Sequence, residues 1–129
     1  MRAHALLLIL PLLLVGTPLG AQQQVEGAAP PYDADMQHLA EVLGALHYLR
    51  PLCGAKEQTR WRDEMRALIE AETPAEPRRG QFVASFNRGY DSYSQVYRSC
   101  TPSARLAASR YLQEGMKLSR EIATRYGSN

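Results

Sequence analysis

Cysteine is scarce in this sequence: only Cys53 and Cys100 occur among 129 residues. Without a CxxC or CxxCH motif, the two thiols do not match a thioredoxin-type redox site or a covalent haem site. With only three scattered histidines, they also make a poor zinc site. An even pair of cysteines in a small exported domain is typical of one disulfide. We therefore expect Cys53 and Cys100 to be bonded, which would stabilise the fold by about 4 kcal/mol on the chain-entropy account.

The chain also lacks a large excess of either positive or negative charge. The chain has 15 Lys and Arg residues against 13 Asp and Glu residues, a formal net charge of +2. Nucleic-acid binding requires a concentrated basic patch, and this balance gives no reason to expect one. Attraction to a membrane surface by charge is equally unsupported. We therefore predict no nucleic-acid partner.

Long apolar runs are limited to one, ALLLILPLLLVG at residues 5–16. It is shorter than the roughly 20 residues that a membrane-spanning helix needs. Basic Arg2 precedes it and the small residues Gly20 and Ala21 follow it, as in a secretory signal. We expect cleavage near Ala21, release into the periplasm, and no membrane span afterwards. Because Arg2 is removed with the signal, 14 basic residues then face 13 acidic ones.

The rest of the chain predicts a single helical domain. Residues 1–21 are assigned to the signal peptide, and residues 22–31 (QQQVEGAAPP), which lack periodicity and end in Pro-Pro, to a flexible leader. Residues 32–129 form the domain. Within it, apolar residues recur at three- and four-residue steps, which is the period of a helix face. Proline, glycine and capping residues divide this pattern into four helices. They cover about 33–53, 56–72 (with Thr59 as an alternative start), 77–100 and 101–126.

The ends of these helices carry recognisable signals. Asp33 or Asp35 is a suitable N-cap for the first helix. Thr101 is predicted to cap the fourth helix, since Pro102 fits the following position. The third helix is expected to continue to Cys100, with aromatic residues along one face over about 35 Å.

Four helices with short connections favour an up-down-up-down bundle. In that arrangement the first and third helices run in the same direction and end at the same end of the bundle. Those ends carry Cys53 and Cys100. A topology predicted from periodicity thus brings the two sulfurs together, and the expected fold is an all-α four-helix bundle closed by one disulfide.

Three glycines, Gly44, Gly89 and Gly115, lie inside predicted helices, where each costs about 1 kcal/mol relative to alanine. The predicted topology places all three near one level of the bundle. One interpretation is that helix backbones approach closely there. The other is a shallow ligand pocket covered by tyrosine side chains.

No motif in the chain identifies a catalytic centre. His38 and Glu41 form an HxxE pair, but a metal site needs three or four ligands, and no further partner is evident. None of the serines lies in a GxSxG or SxxK motif. No pair of carboxylates is singled out for glycoside hydrolysis. We therefore assign no catalytic residue, metal or cofactor, and favour a protein that is not an enzyme.

Tyrosine and arginine occur side by side in several places, and both concentrate at protein interfaces. The alternative is that tyrosines such as Tyr93 and Tyr97 belong to the core while the arginines are merely solvated. Asn87 and Gly89 are a poor pair for the middle of a helix, and such departures are where function or strain is expected. The candidate binding surface on the first and third helices comprises His47, Tyr48, Arg50, Asn87, Arg88 and Tyr90.

Three segments carry a resemblance to a known family: HLAEVLGALHYLRPLCG (38–54), ASFNRGYDSYSQVYRSCTP (84–102) and YLQEGMKLSREIATRYG (111–127). In these the chain resembles a family of small exported alphaproteobacterial proteins known only as a domain of unknown function. The resemblance includes both cysteines. It implies a signal peptide and a helical periplasmic domain, and it supplies no activity, cofactor or catalytic residue.

The sequence therefore predicts a non-enzymatic binding or accessory protein of the cell envelope, whose partner is an unidentified envelope protein or ligand. It would act through the tyrosine–arginine surface on the first and third helices. A second hypothesis is a periplasmic carrier of a small molecule or metal that uses the glycine layer and His47. A small periplasmic enzyme is the third.

Overall fold

The computed structural model describes residues 28–127, and this part of the chain contains helices and no strand. The predicted signal peptide and most of the predicted leader lie outside the described residues. No helix between residues 28 and 127 is both long enough and apolar enough to cross a bilayer. The all-α class and the number of helices are confirmed. The four helices are α1 (Asp33–Leu52), α2 (Arg60–Glu72), α3 (Arg78–Ser94) and α4 (Pro102–Tyr126).

Helix α1 is the centre of the fold because its side chains are apolar on nearly every side. It packs against each of the other three helices, whereas α4 contacts neither α2 nor α3 at the level of the backbone. A helix that is apolar all round is one that is buried. Seven apolar side chains of α1 are buried: Met36, Ala40, Val42, Leu43, Ala45, Leu46 and Leu49.

Helices α1 and α3 run in the same direction. Asp33 at the start of α1 binds Arg78 at the start of α3. At the other end, the sulfur atoms of Cys53 and Cys100 lie at bonding distance and their Cα atoms are 4.9 Å apart. The predicted pairing of the two cysteines is therefore supported by the structure.

Helix α4 runs in the opposite direction to α1. Arg125, near its end, lies 3.8 Å from Asp35 in the first turn of α1. Glu114, at the middle of α4, contacts His38, about one turn further along α1. Helix α4 therefore follows α1 in reverse, and it covers the side of α1 that α3 leaves open.

The crossing of α1 and α3 is closed by two glycines. A Cβ atom at Gly44 would overlap the carbonyl oxygen of Phe86, and a Cβ atom at Gly89 would overlap the carbonyl oxygen of Glu41. In both cases the distance from the added Cβ atom to the oxygen would be far below 3.0 Å, and real Cβ atoms essentially never approach another atom that closely. The relationship is reciprocal, since each glycine faces the carbonyl three residues before the other. Close backbone approach, the first interpretation of these glycines, is confirmed at Gly44 and Gly89.

Helix α3 is shorter than predicted, and the expectation that it continues to Cys100 is wrong. It ends at Ser94, so its 17 residues span about 25 Å. Serine side chains compete for backbone carbonyls near this end, because Ser92 Oγ donates to the carbonyl of Arg88 at 2.7 Å. The hydroxyl of Tyr48 on α1 donates to the carbonyl of Tyr97. Residues 95–100 are thus held by α1 and not by a continuing helix.

The helix starts are partly as predicted. Thr101 caps α4, since its side chain accepts a hydrogen bond from the backbone N–H of Ala104 at 3.1 Å. The prediction of an aspartate cap on α1 is wrong, because Tyr32 occupies that position and gives no side-chain hydrogen bond. Asp33 is buried and binds Arg78 across the helices.

Arg78 joins the three helices that meet at this end of the molecule. It binds Asp33 of α1, and its Nη2 atom lies 2.7 Å from Glu72 at the end of α2. Its guanidinium also lies 4.8 Å from the ring centre of Phe82, within the range of a cation–π contact. The side chain is only 18% exposed. Arg78 therefore ties α1, α2 and α3 together at the end opposite the disulfide.

Candidate functional site

Three of the six residues predicted to form a binding surface meet in an aromatic cluster between α1 and α3. The ring centres of Tyr48 and Tyr90 are 5.3 Å apart in an edge-to-face arrangement, and those of His47 and Tyr90 are 5.7 Å apart. All three side chains are half-buried. Much of their surface therefore serves to pack α1 on α3.

The other three residues lie elsewhere. Arg50 faces the connection before α2, where its Nη2 atom lies 2.5 Å from Glu57. This hydrogen bond holds the pKa of the Glu57 carboxyl below its usual range. Asn87 and Arg88 are exposed on α3, and Arg88 lies 3.2 Å from Glu41. The structure therefore divides the predicted surface into three places.

His47 occupies a position with an unusual polar atom. Its Nδ1 atom is buried and has no hydrogen-bond partner among the described residues. Its ring lies 5.7 Å from those of Phe86 and Tyr90 on α3. Burial lowers the pKa of His47, Arg62 lowers it further, and Asp63 acts in the opposite direction. The neutral imidazole is therefore the favoured form in the folded protein.

His47→Phe is expected to weaken the loss of stability on acidification. The pKa of His47 is lower in the folded state than its ordinary value of about 6.5. Below that pH the unfolded chain binds more protons, so the free energy of unfolding falls as pH falls. Phenylalanine keeps a ring against α3 but cannot titrate. Urea unfolding at pH 7 and pH 5 measures the difference, and parallel pH dependences for the two proteins would contradict this role of His47.

A groove opens between α3 and α4, with α1 beneath it. Its volume is about 460 Å³. It exists because α3 and α4 are each packed on α1 and do not contact each other through their backbones. Its lining includes Tyr93, Tyr97, Leu106, Arg110, Tyr111 and Glu114. We name it the tyrosine groove after its three tyrosines.

The floor of the tyrosine groove is a cluster of small buried residues. Ala45 and Leu49 of α1 pack against Ala104 and Ala108 of α4. The rings of the three tyrosines rest on this cluster, together with the disulfide residue Cys53. The small side chains bring α4 close to α1, so the larger rings stand at the edge and remain half-buried. The same buried cluster therefore joins α1 to α4 and supports the tyrosine rings of the groove.

The tyrosine rings are fixed relative to one another. The hydroxyl of Tyr93 donates to that of Tyr111 at 3.0 Å, and the two rings stand edge to face with centres 5.4 Å apart. Tyr93 and Tyr97 are parallel within 6°, with ring centres 6.2 Å apart. Burial, together with the hydrogen bond from Tyr93, raises the pKa of Tyr111 far above its usual value. Tyr111 is thus a neutral hydroxyl at physiological pH.

Two charged groups line the groove, Arg110 and Glu114. Glu114 Oε1 lies 2.8 Å from His38 Nε2, and this contact is an ion pair only when the imidazole is protonated. Arg110 forms no ion pair within residues 28–127. The groove therefore presents one guanidinium without an ion-pair partner beside three aromatic rings.

His38 and Glu41, which form the HxxE pair of the sequence, contact different helices. His38 reaches Glu114 on α4, and Glu41 reaches Arg88 on α3. Between residues 28 and 127, no group of three or more His, Cys, Asp or Glu side chains is arranged to hold a metal ion.

A second cleft, of about 350 Å³, lies on the other side of α1, between α2 and α4. Trp61 stands at one wall and the exposed side chain of Met116 at the other. Gly115, the third glycine, lines this cleft, and a Cβ atom there would lie 3.1 Å from Val42. Gly115 is therefore separate from the crossing made by Gly44 and Gly89.

The tyrosine groove was missed by the sequence analysis, which left Tyr93 and Tyr97 between core and surface. The available signal was their four-residue spacing. Although α3 ends at Ser94, the backbone N–H of Tyr97 still donates to the carbonyl of Tyr93 at 2.9 Å, so both rings lie on the same side. Tyr111 and Arg110 belong to α4, and only the tertiary structure shows that they face the same opening.

The fold and the groove define a small helical domain with one disulfide and an aromatic candidate binding site. This chain belongs to a family of proteins of unknown function, DUF2385, which matches residues 31–126. Neither the curated proteins nor the solved structures include a match to it.

Proposed function

We propose that this chain is an exported, periplasmic binding or accessory protein of the cell envelope, and that the tyrosine groove is its binding site. The observation that carries the proposal is the convergence of Tyr93, Tyr97 and Tyr111 beside the unpaired Arg110. Tyrosine and arginine supply much of the binding energy at protein surfaces. Rings already held in place lose little entropy on binding.

Export is supported by two features of the chain. The apolar run at residues 5–16 has the length and flanks of a secretory signal. The Cys53–Cys100 bond is of the kind that persists in oxidising compartments. The proposal also retains the predicted up-down-up-down order, in which α3 and α4 form opposite walls of the groove.

Export is tested by the intact mass of the protein from the periplasmic fraction. The expected chain begins near Gln22 and is 2 Da lighter than its fully reduced form, because the disulfide removes two hydrogens. A full-length chain retained in the cytoplasm would contradict export.

The binding site is tested by photo-crosslinking in living cells. A photoreactive residue replaces Leu106, which lines the groove and is 52% exposed. The matched control replaces Val83, which is 43% exposed on α3 outside the groove. An adduct is expected only from position 106, and Tyr97→Ala or Arg110→Gln should reduce its yield.

Equal adducts from positions 106 and 83, or an adduct that both substitutions leave unchanged, would contradict binding in the groove. Arg88→Ala extends the test to the predicted surface on α1 and α3, where Arg88 lies 3.2 Å from Glu41. Loss of the adduct in this variant would show that the site reaches the predicted surface on α1 and α3.

The carrier hypothesis is not favoured by a specific observation. At Gly44 and Gly89 the backbones of α1 and α3 are in contact, which leaves no space for a ligand between the two helices there. The ring of His47 packs against Phe86 and Tyr90 of α3. The groove, in contrast, is open and lined by fixed polar and aromatic groups, and it therefore supports binding best.

A further inference from the structure

We infer that the ligand of the tyrosine groove is a saccharide that carries a carboxylate group. This inference rests on the proposed function, since it names the chemical class that the same groove would bind. It is carried by three features of the groove: the fixed aromatic rings, the polar groups between them, and the single unpaired arginine.

The rings of Tyr93 and Tyr97 offer parallel aromatic surfaces 6.2 Å apart, and Tyr111 stands across them as a wall. The face of an aromatic ring is negative and attracts the positive edges of neighbouring groups. The C–H bonds on one face of a pyranose ring are such edges. A sugar ring thus finds apolar contact here without a deep pocket, whereas a flat aromatic ligand would leave the wall unused.

The polar groups of the groove argue against a purely apolar ligand. The hydroxyls of Tyr93 and Tyr111, the carboxylate of Glu114 and the hydroxyl of Ser103 all lie along it. Covering these groups without hydrogen bonds would cost free energy. Sugar hydroxyls both donate and accept, so they match acceptors and donors that alternate within a short distance. The volume of about 460 Å³ is in the usual range for small-ligand sites.

Arg110 sets the charge of the ligand. It has no ion pair within the described residues, and the carboxylate of Glu114 in the same groove is held by its contact with His38. A guanidinium binds a carboxylate through two parallel hydrogen bonds. One available guanidinium suits a single carboxylate, and it does not suit a nucleic acid, which needs several cations.

Isothermal titration calorimetry with the complete mature protein tests this inference. The acidic probe is the disaccharide of N-acetylglucosamine and N-acetylmuramic acid, which carries one carboxylate. The neutral probe is di-N-acetylchitobiose. We expect the acidic disaccharide to bind about tenfold more tightly than the neutral one, as one charge-assisted hydrogen-bonded pair provides.

Arg110→Gln should reduce the affinity for the acidic disaccharide about tenfold and leave the neutral one unchanged. The matched control is Arg120→Gln, which removes the same charge from α4 outside the groove and should bind both probes as the wild type does. Tyr97→Ala should weaken both probes. This variant keeps the backbone carbonyl that Tyr48 binds, and thermal unfolding checks that it is folded.

Equal affinities for the two probes, or an equal loss in Arg120→Gln, would overturn the assignment of the carboxylate to Arg110. The absence of binding by both disaccharides at millimolar concentration would overturn the saccharide. If the adduct at position 106 still depended on Tyr97 and Arg110 in that case, the proposed function would stand with a ligand of another class. If that adduct were also absent, the proposed function would fail with it.

Discussion

Gly89→Ala is expected to lower the free energy of unfolding by about 3 kcal/mol, the upper part of the usual range for overpacking. The added methyl group would overlap the carbonyl oxygen of Glu41 and lie 3.0 Å from the backbone nitrogen of Ala45. Both atoms belong to the backbone of α1, so no side-chain rotation can remove the overlap. Helices α1 and α3 must move apart, which exposes core on both sides of the crossing.

Gly80→Ala is the matched control on the same helix. A Cβ atom at Gly80 would meet only the carboxylate of Glu76, at 3.0 Å, and that side chain can move. Because alanine favours a helix by about 1 kcal/mol over glycine, this variant should be as stable as the wild type or slightly more stable. Urea unfolding followed by circular dichroism measures both. Equal stabilities of the two variants would show that the backbones of α1 and α3 do not meet at Gly89.

Removal of the disulfide by the double substitution Cys53→Ala and Cys100→Ala is expected to cost about 4 kcal/mol. The two residues are 47 apart in sequence, and a loop of that length loses about this much entropy in the unfolded chain when it is closed. The bond also joins α1 to a segment that is not helical, residues 95–100. Without it, that segment is held mainly by the hydrogen bond from Tyr48 to Tyr97.

Urea unfolding of the double variant, compared with the wild type with and without reductant, measures this effect. The reduced wild type should match the double variant, which separates the bond itself from the substitutions. A wild type whose midpoint does not move on reduction would contradict the predicted contribution. Because Tyr97 lines the tyrosine groove, ligand binding should fall with stability in both reduced and substituted proteins.

Much of the fold could be predicted because local signals and tertiary packing agree. The caps and prolines around Thr101 and Pro102 mark the start of α4 within one residue. Gly44 and Gly89 do lie at one level, although the count back from Cys100 treated residues 95–100 as helical and they are not. At α4 the information lies in the residues next to the feature.

The predictions that were wrong concern contacts between distant residues. The end of α3 at Ser94 depends on Tyr48, which is 46 residues earlier and binds the carbonyl of Tyr97. Asp33 has the chemistry of an N-cap, but Arg78 binds its carboxylate across the helices. Helical periodicity reports which side of a helix is apolar and contains no information about which partner a polar group will find.

The candidate site was predictable in composition and not in place. The sequence pointed to tyrosine and arginine as binding residues. In the structure, however, Arg50 of the predicted surface binds Glu57, and Tyr48 packs against Tyr90 between α1 and α3. The groove depends on the space between α3 and α4, which is determined by how each of them lies on α1. Spacing within one helix cannot report a distance between two others.

The central position of α1 has a consequence for how the groove can vary. Ala45 is fully buried, lies against Gly89 on the α3 side, and packs with Ala104 and Ala108 on the α4 side. Its backbone nitrogen faces Gly89, while its side chain meets α4, so one residue sets how both groove walls lie on α1. A larger side chain at position 45 is therefore expected to move α4 away from α1 and change the width of the groove, although Ala45 does not line it.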